Sequence, residues 1–177
     1  MTLREITLDD LDWYMRHFTE KEIVVGSGQR GPSDLETARK EMELYITGLF
    51  KEGKGFRWGL VLRGSRDLIG SCGFYGWHRD DESQADIGYD LDPNYWRRGL
   101  MTEALTEIIW FGFEKMKLHK IRCLIMPTNI PSMNLIQKLG FKKQGIVRQC
   151  TDAEGKLTDD AVFLITTKEW NSTQLPH

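Results

Sequence analysis

The sequence predicts an α+β fold: a central mixed, mostly antiparallel sheet of about seven strands flanked by four helices. Seven short apolar or alternating runs have the character of strands, and four amphipathic stretches have the 3.6-residue period of helices. Their order is β, α, α, β, β, β, α, β, α, β, β. Strands joined by short turns pair antiparallel, whereas a helical connection permits parallel pairing, so this order predicts a mixed sheet covered by helices.

The first half of the chain contains three predicted strands and two predicted helices. Asp9 or Asp10 is expected to cap the first helix, and Ser33 or Asp34 the second, because their side chains accept hydrogen bonds from a first helical turn. Residues 20–31 lack a periodic apolar pattern and are expected to be irregular. The predicted elements are a strand over 3–8, helices ending near residues 18 and 50, and strands over 56–62 and 68–75.

The most informative stretch, residues 86–104, combines a strand, a turn, a basic glycine loop and a helix start. Apolar and polar residues alternate from Asp86 to Leu91, and Asp92-Pro93-Asn94 is typical of a turn. A helix is then expected to run to about Lys117.

Arg97-Arg98-Gly99 immediately precedes this helix. The first turn of a helix has N–H groups without partners and carries partial positive charge, so it binds anions. Glycine lets the backbone approach an anion closely, and the two arginines add charge and donors. The stretch predicts a phosphate or pyrophosphate site; the alternative is an ordinary loop with solvated arginines.

The second half continues with a strand over 121–126 and a short helix that opens at Pro131 or Ser132 and closes at Gly140. Two strands, 142–148 and 161–167, follow it. No repeat or linker interrupts the chain, so we expect one domain over residues 1–170 and a C-terminal tail over residues 171–177.

Composition excludes several classes of protein. The net charge of −2 argues against a nucleic-acid partner, and no apolar run approaches the ~18 residues of a membrane span. Three widely spaced cysteines are typical of reduced thiols in a cytoplasmic protein. The four histidines have no ligand spacing, so no metal is expected.

Element order and motifs together resemble the GNAT superfamily of acetyl-CoA-dependent N-acetyltransferases over about residues 3–170. The resemblance is carried by Ile87-Gly88-Tyr89, by Trp96-Arg97-Arg98-Gly99-Leu100-Met101-Thr102-Glu103-Ala104, by Asn129-Ile130-Pro131-Ser132, by Lys138-Leu139-Gly140-Phe141, and by Asp160-Ala161-Val162-Phe163. Within the superfamily the chain is most similar to the branch that acetylates ribosomal-protein N-termini.

The resemblance implies a GNAT-like sheet that opens near Leu91, where backbone groups hold the pantetheine arm and polarise the thioester carbonyl. It also implies a set of acetyl-CoA-binding residues: Leu91, Trp96, Arg97, Arg98, Gly99, Leu100, Met101, Thr102, Asn129 and Asn134. Trp96 and Met101 depart from the strict family pattern, which has glutamine or arginine at the first place and glycine or alanine at the second.

The implied mechanism is direct attack of an amine on the thioester, with no acyl-enzyme. Ser132 matches a position that can protonate the departing thiolate; other members carry a tyrosine on this helix, in the region of Ile136. Asp86 is the first candidate for the general base and Asp90 the second. The alternative for either carboxylate is a solvated surface group without a catalytic role.

The resemblance therefore implies an enzyme that acetylates a primary amine, either a protein N-terminal α-amine or a small molecule, and it leaves a homodimer open. One rival is a catalytically silent acyl-CoA sensor with the same fold. The other is a dinucleotide-binding oxidoreductase built on the G-x-G-x-x-G of Gly26 to Gly31. An acidic run over 78–92 suggests attraction of a cationic substrate, or simply a solvated loop.

Overall fold

A computed structural model of the protein describes residues 1–79, 83–151 and 157–173. Its strands are β1 (Thr2–Glu5), β2 (Phe56–Val61), β3 (Leu68–His78), β4 (Gln84–Leu91), β5 (Lys120–Ile125), β6 (Lys142–Thr151) and β7 (Leu157–Thr166). They form one sheet in the order β1-β2-β3-β4-β5-β7-β6. Among these strands only β4 and β5 pair in parallel. The predicted mixed, mostly antiparallel sheet of seven strands is confirmed.

The helices are α1 (Leu11–Thr19), α2 (Lys21–Ser27), α3 (Leu35–Met42), α4 (Leu49–Lys51), α5 (Leu100–Glu114), α6 (Ile130–Lys138) and α7 (Thr167–Thr173). A π-helical segment, Glu43–Gly48, joins α3 to α4, so the helix predicted to end near residue 50 is continuous. Asp10 precedes α1, but its side chain accepts from Arg4 and from the Thr7 N–H instead of capping that helix. Asp34 caps α3 by accepting a 2.8 Å hydrogen bond from the Thr37 N–H. The four predicted helices are therefore present.

Two helices were not predicted. The expectation of irregular chain over 20–31 was wrong, because α2 occupies most of it. Its sequence, KEIVVGS, has three β-branched residues and a glycine, so helix propensity is low and tertiary packing decides its conformation. Helix α7 follows β7 directly and buries Trp170, whose ring centre lies 6.2 Å from that of Phe113.

Helices cover both faces of the sheet. Helix α5 packs on one face, where Ile87 and Leu91 of β4 join a core that includes Leu105 and Ile108. A second apolar cluster lies on the other face. Its members come from α1, α3, the π-helical segment, β2, β3 and the residue that follows β1: Ile6, Tyr14, Ala38, Met42, Ile46, Val61 and Leu68. Because side chains alternate along a strand, β4 sends Asp86, Gly88 and Asp90 toward this second face.

Two further features concern the chemistry of the chain. Cys72 and Cys123 are buried free thiols. Within the three described ranges, no helix combines the length and apolarity that crossing a bilayer requires.

Candidate active site

The sheet opens between β4 and β5. Three residue pairs join these strands, and the last of them is Asp86 with Arg122. Beyond it, β4 continues to Leu91 paired only with β3, and β5 continues to Ile125 paired only with β7. Each strand therefore presents unpaired backbone N–H and C=O groups to the other. The opening begins after Asp86 and includes Leu91, and it offers polar backbone to an extended ligand.

A tight loop connects the end of β4 to α5. The indole Nε1–H of Trp96 donates a 2.6 Å hydrogen bond to the carbonyl oxygen of Leu91 and so closes the loop. Arg97 and Gly99 both adopt positive φ, at 57° and 77°. This conformation costs a non-glycine residue roughly 1–2 kcal/mol, and such strain is concentrated at functional sites.

The first turn of α5 presents free donors to open space. The first N–H with an acceptor in the helix belongs to Glu103, which donates to the Gly99 carbonyl at 3.0 Å. The N–H groups of Leu100, Met101 and Thr102 have no acceptor among the residues described. A Cβ added at Gly99 would meet no atom within 4 Å. These donors fit the oxygens of a phosphate or pyrophosphate.

The charge around this turn is positive. Arg97 and Arg98 are exposed and form no ion pair with a described carboxylate; Arg98 lies over the ring of Tyr95, 5.3 Å from its centre. Glu103, the acidic residue of the first turn, is paired with the α-amino group of Met1 at 3.2 Å. An incoming anion therefore meets two free guanidinium groups and a carboxylate that already has a cation.

Two of the predicted CoA-binding residues have buried side chains. Leu91 and Met101 are 7% and 6% exposed and pack in the core beneath α5. Only their backbone groups are available to a ligand. Methionine at the place where the family pattern has glycine or alanine therefore leaves the outer side of the loop clear.

Helix α6 forms the other wall. Asn129 caps it by accepting a 3.1 Å hydrogen bond from the Ser132 N–H, while its Nδ2 donates to the Gly26 carbonyl of α2 at 2.9 Å. Asn134 lies on the exposed side of α6 and its side chain has no hydrogen bond to another described residue. Ile136, where other family members have a tyrosine, is fully buried.

Ser132 contacts a tyrosine of β4. The hydroxyl oxygens of Ser132 and Tyr89 are 2.6 Å apart. Burial raises the pKa of Tyr89, and the hydrogen bond with Ser132 lowers it only in part, so the phenol remains protonated. The pair joins the middle of β4 to the first turn of α6.

Asp86 lies where the opening begins. Its carboxylate accepts two hydrogen bonds from Arg122, at 2.6 Å from Nε and 2.7 Å from the terminal nitrogen. The Asp86 side chain is 14% exposed and that of Arg122 40%. Tyr75 is the cross-strand neighbour of Asp86, and burial followed by the charge of Asp86 raises the Tyr75 pKa. The carboxylate is thus held in one orientation at the mouth of the opening.

Both carboxylate oxygens of Asp90, the second candidate base, accept hydrogen bonds. The side chain accepts hydrogen bonds from His17 Nε2 at 2.6 Å, from Ser71 N–H at 3.0 Å, from Ser71 Oγ at 2.6 Å, and from Arg57. Burial raises its pKa, but Arg57, His17 and Ser71 lower it further, to about 2. A carboxylate with this pKa is a weak proton acceptor, so Asp90 suits a structural role better than a catalytic one.

The glycine motif of residues 26–31 does not begin a helix. Gly26 belongs to α2, and Gly28 ends that helix with a left-handed φ of 68°. A dinucleotide fold requires the glycine loop before a helix, where free N–H groups meet the pyrophosphate. Here the motif begins at the C-terminal end of α2, where carbonyl groups rather than N–H groups lack partners, so it offers that rival no phosphate site.

Other expectations concern metals and acidity. No group of three or more metal-ligating side chains occurs in the part of the chain that the structure describes. Of the acidic run over 78–92, residues 80–82 lie outside the described residues. Asp86 and Asp90 are paired with arginines, and Asp92 accepts from the Asn94 N–H at 2.8 Å. The charges of Asp86 and Asp90 are therefore compensated by arginines, whereas the Asp92 carboxylate contacts, among the residues described, only neutral donors of Asn94.

Sequence reasoning missed several residues near the opening. His17, Arg57 and Arg122 pair with the two candidate bases, and Tyr89 contacts Ser132. Only Arg122 had a local signal, because a charged residue interrupts an otherwise apolar strand. The others are brought to the site by long-range contacts.

Comparison with known proteins identifies the family. The model of the GNAT acetyltransferase domain matches residues 1–142. The chain is 31% identical over 170 residues to the uncharacterized N-acetyltransferase p20 of Bacillus licheniformis, covering 96% of this chain and 94% of that protein. It is 30% identical over 125 residues to the ribosomal protein uS5-alanine N-acetyltransferase of Escherichia coli, covering 71% and 64% of the two chains.

Solved structures share the fold. RimJ of Mycobacterium smegmatis in complex with CoA-disulfide superposes with a TM-score of 0.80 at 20% identity, over 94% of this chain and 82% of that one. Spermidine N-acetyltransferase of Vibrio cholerae in complex with CoA and spermine gives 0.81 at 16% identity, over 96% and 97%. With these matches the predicted GNAT-like fold is confirmed, and so is the prediction of an acyltransferase. The chain belongs to the GNAT family of acetyltransferases.

Proposed function

We propose that this enzyme transfers the acetyl group of acetyl-CoA to a primary amine that enters through the opening between β4 and β5. The observation that carries the proposal is the geometry of this opening. Around one gap in the sheet lie a helix start with free N–H groups, a part-buried pair of hydroxyls and a carboxylate oriented by an arginine. The complexes of two structural neighbours with CoA or CoA-disulfide support the choice of donor.

Acetyl-CoA, when bound, supplies a thioester carbonyl that an amine attacks directly. The loop residues Trp96, Arg97, Arg98 and Gly99, together with the N–H groups of residues 100–102, hold the pyrophosphate. The unpaired backbone beside Leu91 is positioned to hold the pantetheine arm and to stabilise negative charge on the carbonyl oxygen. Asn129 and Asn134 form the α6 side of the same site.

Two side chains accept or direct protons during the proposed acetyl transfer. Asp86 accepts a proton from the attacking amine, directly or through water. Ser132 directs its hydroxyl proton to the departing sulfur as the carbon–sulfur bond breaks. The net reaction moves one amine proton to the CoA thiol and leaves an amide.

The acceptor we favour is an N-terminal α-amine. Its pKa of about 8 leaves more free base at neutral pH than the pKa of about 10.4 of a lysine. Near the opening, Asp86 and Asp90 are each paired with an arginine, so neither offers an uncompensated negative charge to a polyamine. The relative that acts on ribosomal protein uS5 supports the same choice. Small-molecule amines remain alternatives within the same chemistry.

The reaction is tested by measuring free thiol released from acetyl-CoA in the presence of a panel of amines. We expect amine-dependent release, fastest with short peptides that have a free α-amino group and slower with spermidine, with the amide confirmed by mass spectrometry. Acetyl-CoA is also expected to raise the melting temperature, since a ligand that binds only the folded state stabilises it. Stabilisation without thiol release for any amine would favour the silent sensor and contradict the proposal.

Asp86→Asn tests the proposed base. We expect kcat/KM to fall by about 10²- to 10⁴-fold, the usual contribution of a general base, and the acidic limb of the pH profile to disappear. Arg122→Gln is the matched control, because it removes the same ion pair but keeps the carboxylate. If the two variants lose activity to the same extent, Asp86 contributes only through its ion pair with Arg122 and is not the general base.

A further inference from the structure

Tyr89 has an unusual environment for a strand residue that faces the core. Its hydroxyl lies 2.6 Å from Ser132 Oγ and 3.3 Å from the Ser132 carbonyl oxygen, and these are its only hydrogen bonds to described residues. Its ring belongs to the part-buried edge of the α5-side core. The phenol therefore meets α6 at the one residue to which the proposed mechanism assigns the leaving group.

The relative acidities of the two hydroxyl groups indicate which of them donates the short hydrogen bond. A phenol, with an ordinary pKa near 10, is a far stronger acid than an aliphatic alcohol and is therefore the better donor. Burial keeps Tyr89 protonated, as described above. The geometry allows either oxygen to donate, and the difference in acidity assigns Tyr89 as the donor and Ser132 Oγ as the acceptor. The proton of Ser132 has no acceptor among the described residues, so it is free to point into the opening.

The acidities also define what Ser132 does. A thiolate with a pKa near 8.5 does not remove a proton completely from an aliphatic alcohol, so Ser132 acts by donating a hydrogen bond to the sulfur as charge develops there. A donor that itself accepts a hydrogen bond is polarised, which strengthens the hydrogen bond it donates by about 10–30%. The released thiolate then takes up the proton that the amine gave to Asp86, so protons balance.

We propose that Tyr89 is a positioning residue for the leaving group: by donating to Ser132 Oγ, it orients and polarises the serine hydroxyl toward the sulfur of acetyl-CoA. This inference rests on the proposed function and adds the residue that makes Ser132 effective. It also gives a role to the tyrosine of β4 in a chain whose α6 has the buried Ile136 in the region where other family members have a tyrosine.

The test is Tyr89→Phe, which removes one oxygen and keeps the ring. We expect kcat to fall about tenfold with the KM for acetyl-CoA unchanged within about twofold, since one hydrogen bond that acts on the transition state is lost. Ser132→Ala is expected to be slowed at least as much. The double variant Tyr89→Phe/Ser132→Ala should be no slower than Ser132→Ala alone, because Tyr89 acts only through Ser132.

Tyr14→Phe is the matched control, because it deletes a phenol hydroxyl that is hydrogen-bonded to Glu41 and not to Ser132. It is expected to leave kcat unchanged. Wild-type kcat in Tyr89→Phe, or additive losses in the double variant, would overturn the inference while leaving acetyl transfer by the wild type in place. Absence of amine-dependent thiol release by the wild type would instead overturn the proposed function itself.

Discussion

Gly99→Glu is expected to weaken the binding of acetyl-CoA by at least about 100-fold while the protein still folds. The new carboxylate would stand where the free N–H groups of α5 are proposed to meet the pyrophosphate. Like charges about 5 Å apart repel by roughly 1–3 kcal/mol per pair at effective dielectric constants between those of water and a protein surface, and a pyrophosphate carries more than one charge. Titration of acetyl-CoA by calorimetry measures the loss.

The matched control for this variant is Gly99→Gln. Both substitutions impose the same left-handed backbone strain at φ 77°, and a Cβ at this place meets no atom within 4 Å. Glutamate at a helix N-terminus is in addition favourable to folding, so a lower affinity of the glutamate variant does not come from unfolding. Equal affinities of the two variants for acetyl-CoA would show that the pyrophosphate does not bind at this loop.

Asp90→Asn is expected to lower the free energy of unfolding by about 3–5 kcal/mol. The substitution leaves the guanidinium of Arg57 without its counter-charge in a buried site, and removing one partner of a buried ion pair has a cost of this order. It also weakens the contact with His17 that ties α1 to the sheet. Urea denaturation at neutral pH measures the change. Glu36→Gln is the control: it breaks an exposed pair with Lys40 and is expected to cost less than about 1 kcal/mol.

The Asp90 prediction has a characteristic pH dependence. Folding lowers the pKa of Asp90 to about 2, so its stabilising contribution is complete above the unfolded pKa of about 4 and is lost as the pH falls toward 2. The asparagine variant has no such proton to take up. The difference in stability between wild type and variant is therefore expected to narrow by about 1 kcal/mol at pH 3. A difference that stays constant from neutral pH to pH 3 would contradict the assigned ion pair.

Local signals predicted much of the fold. Asp34 caps α3, Gly140 ends α6 with a φ of 94°, and Gly99 begins α5 in the left-handed conformation that a tight loop requires. Each of these features depends on residues within one or two turns of the chain, so sequence spacing is enough to find it. Helix α2 shows the limit of this approach, because its β-branched residues favour a helix only when packed.

In the candidate site, too, some features follow from local sequence and others from long-range contacts. The loop of Arg97, Arg98 and Gly99 was identifiable from its residues, since an anion site at a helix start is a local arrangement. The pairing of Tyr89 with Ser132 spans 43 residues, and that of His17 with Asp90 spans 73. Nothing in the sequence near either partner indicates the other.

The sequence by itself determined the order of the seven strands and of four helices, the candidate anion-binding loop and the family, because periodicity, capping and motif spacing are short-range properties. The tertiary structure alone decided where the sheet opens, which carboxylate is oriented by Arg122 and which is enclosed by Arg57 and His17, and which hydroxyl meets Ser132. Those features depend on strand register and on contacts between segments that are distant in the sequence, and both arise only when those segments pack together.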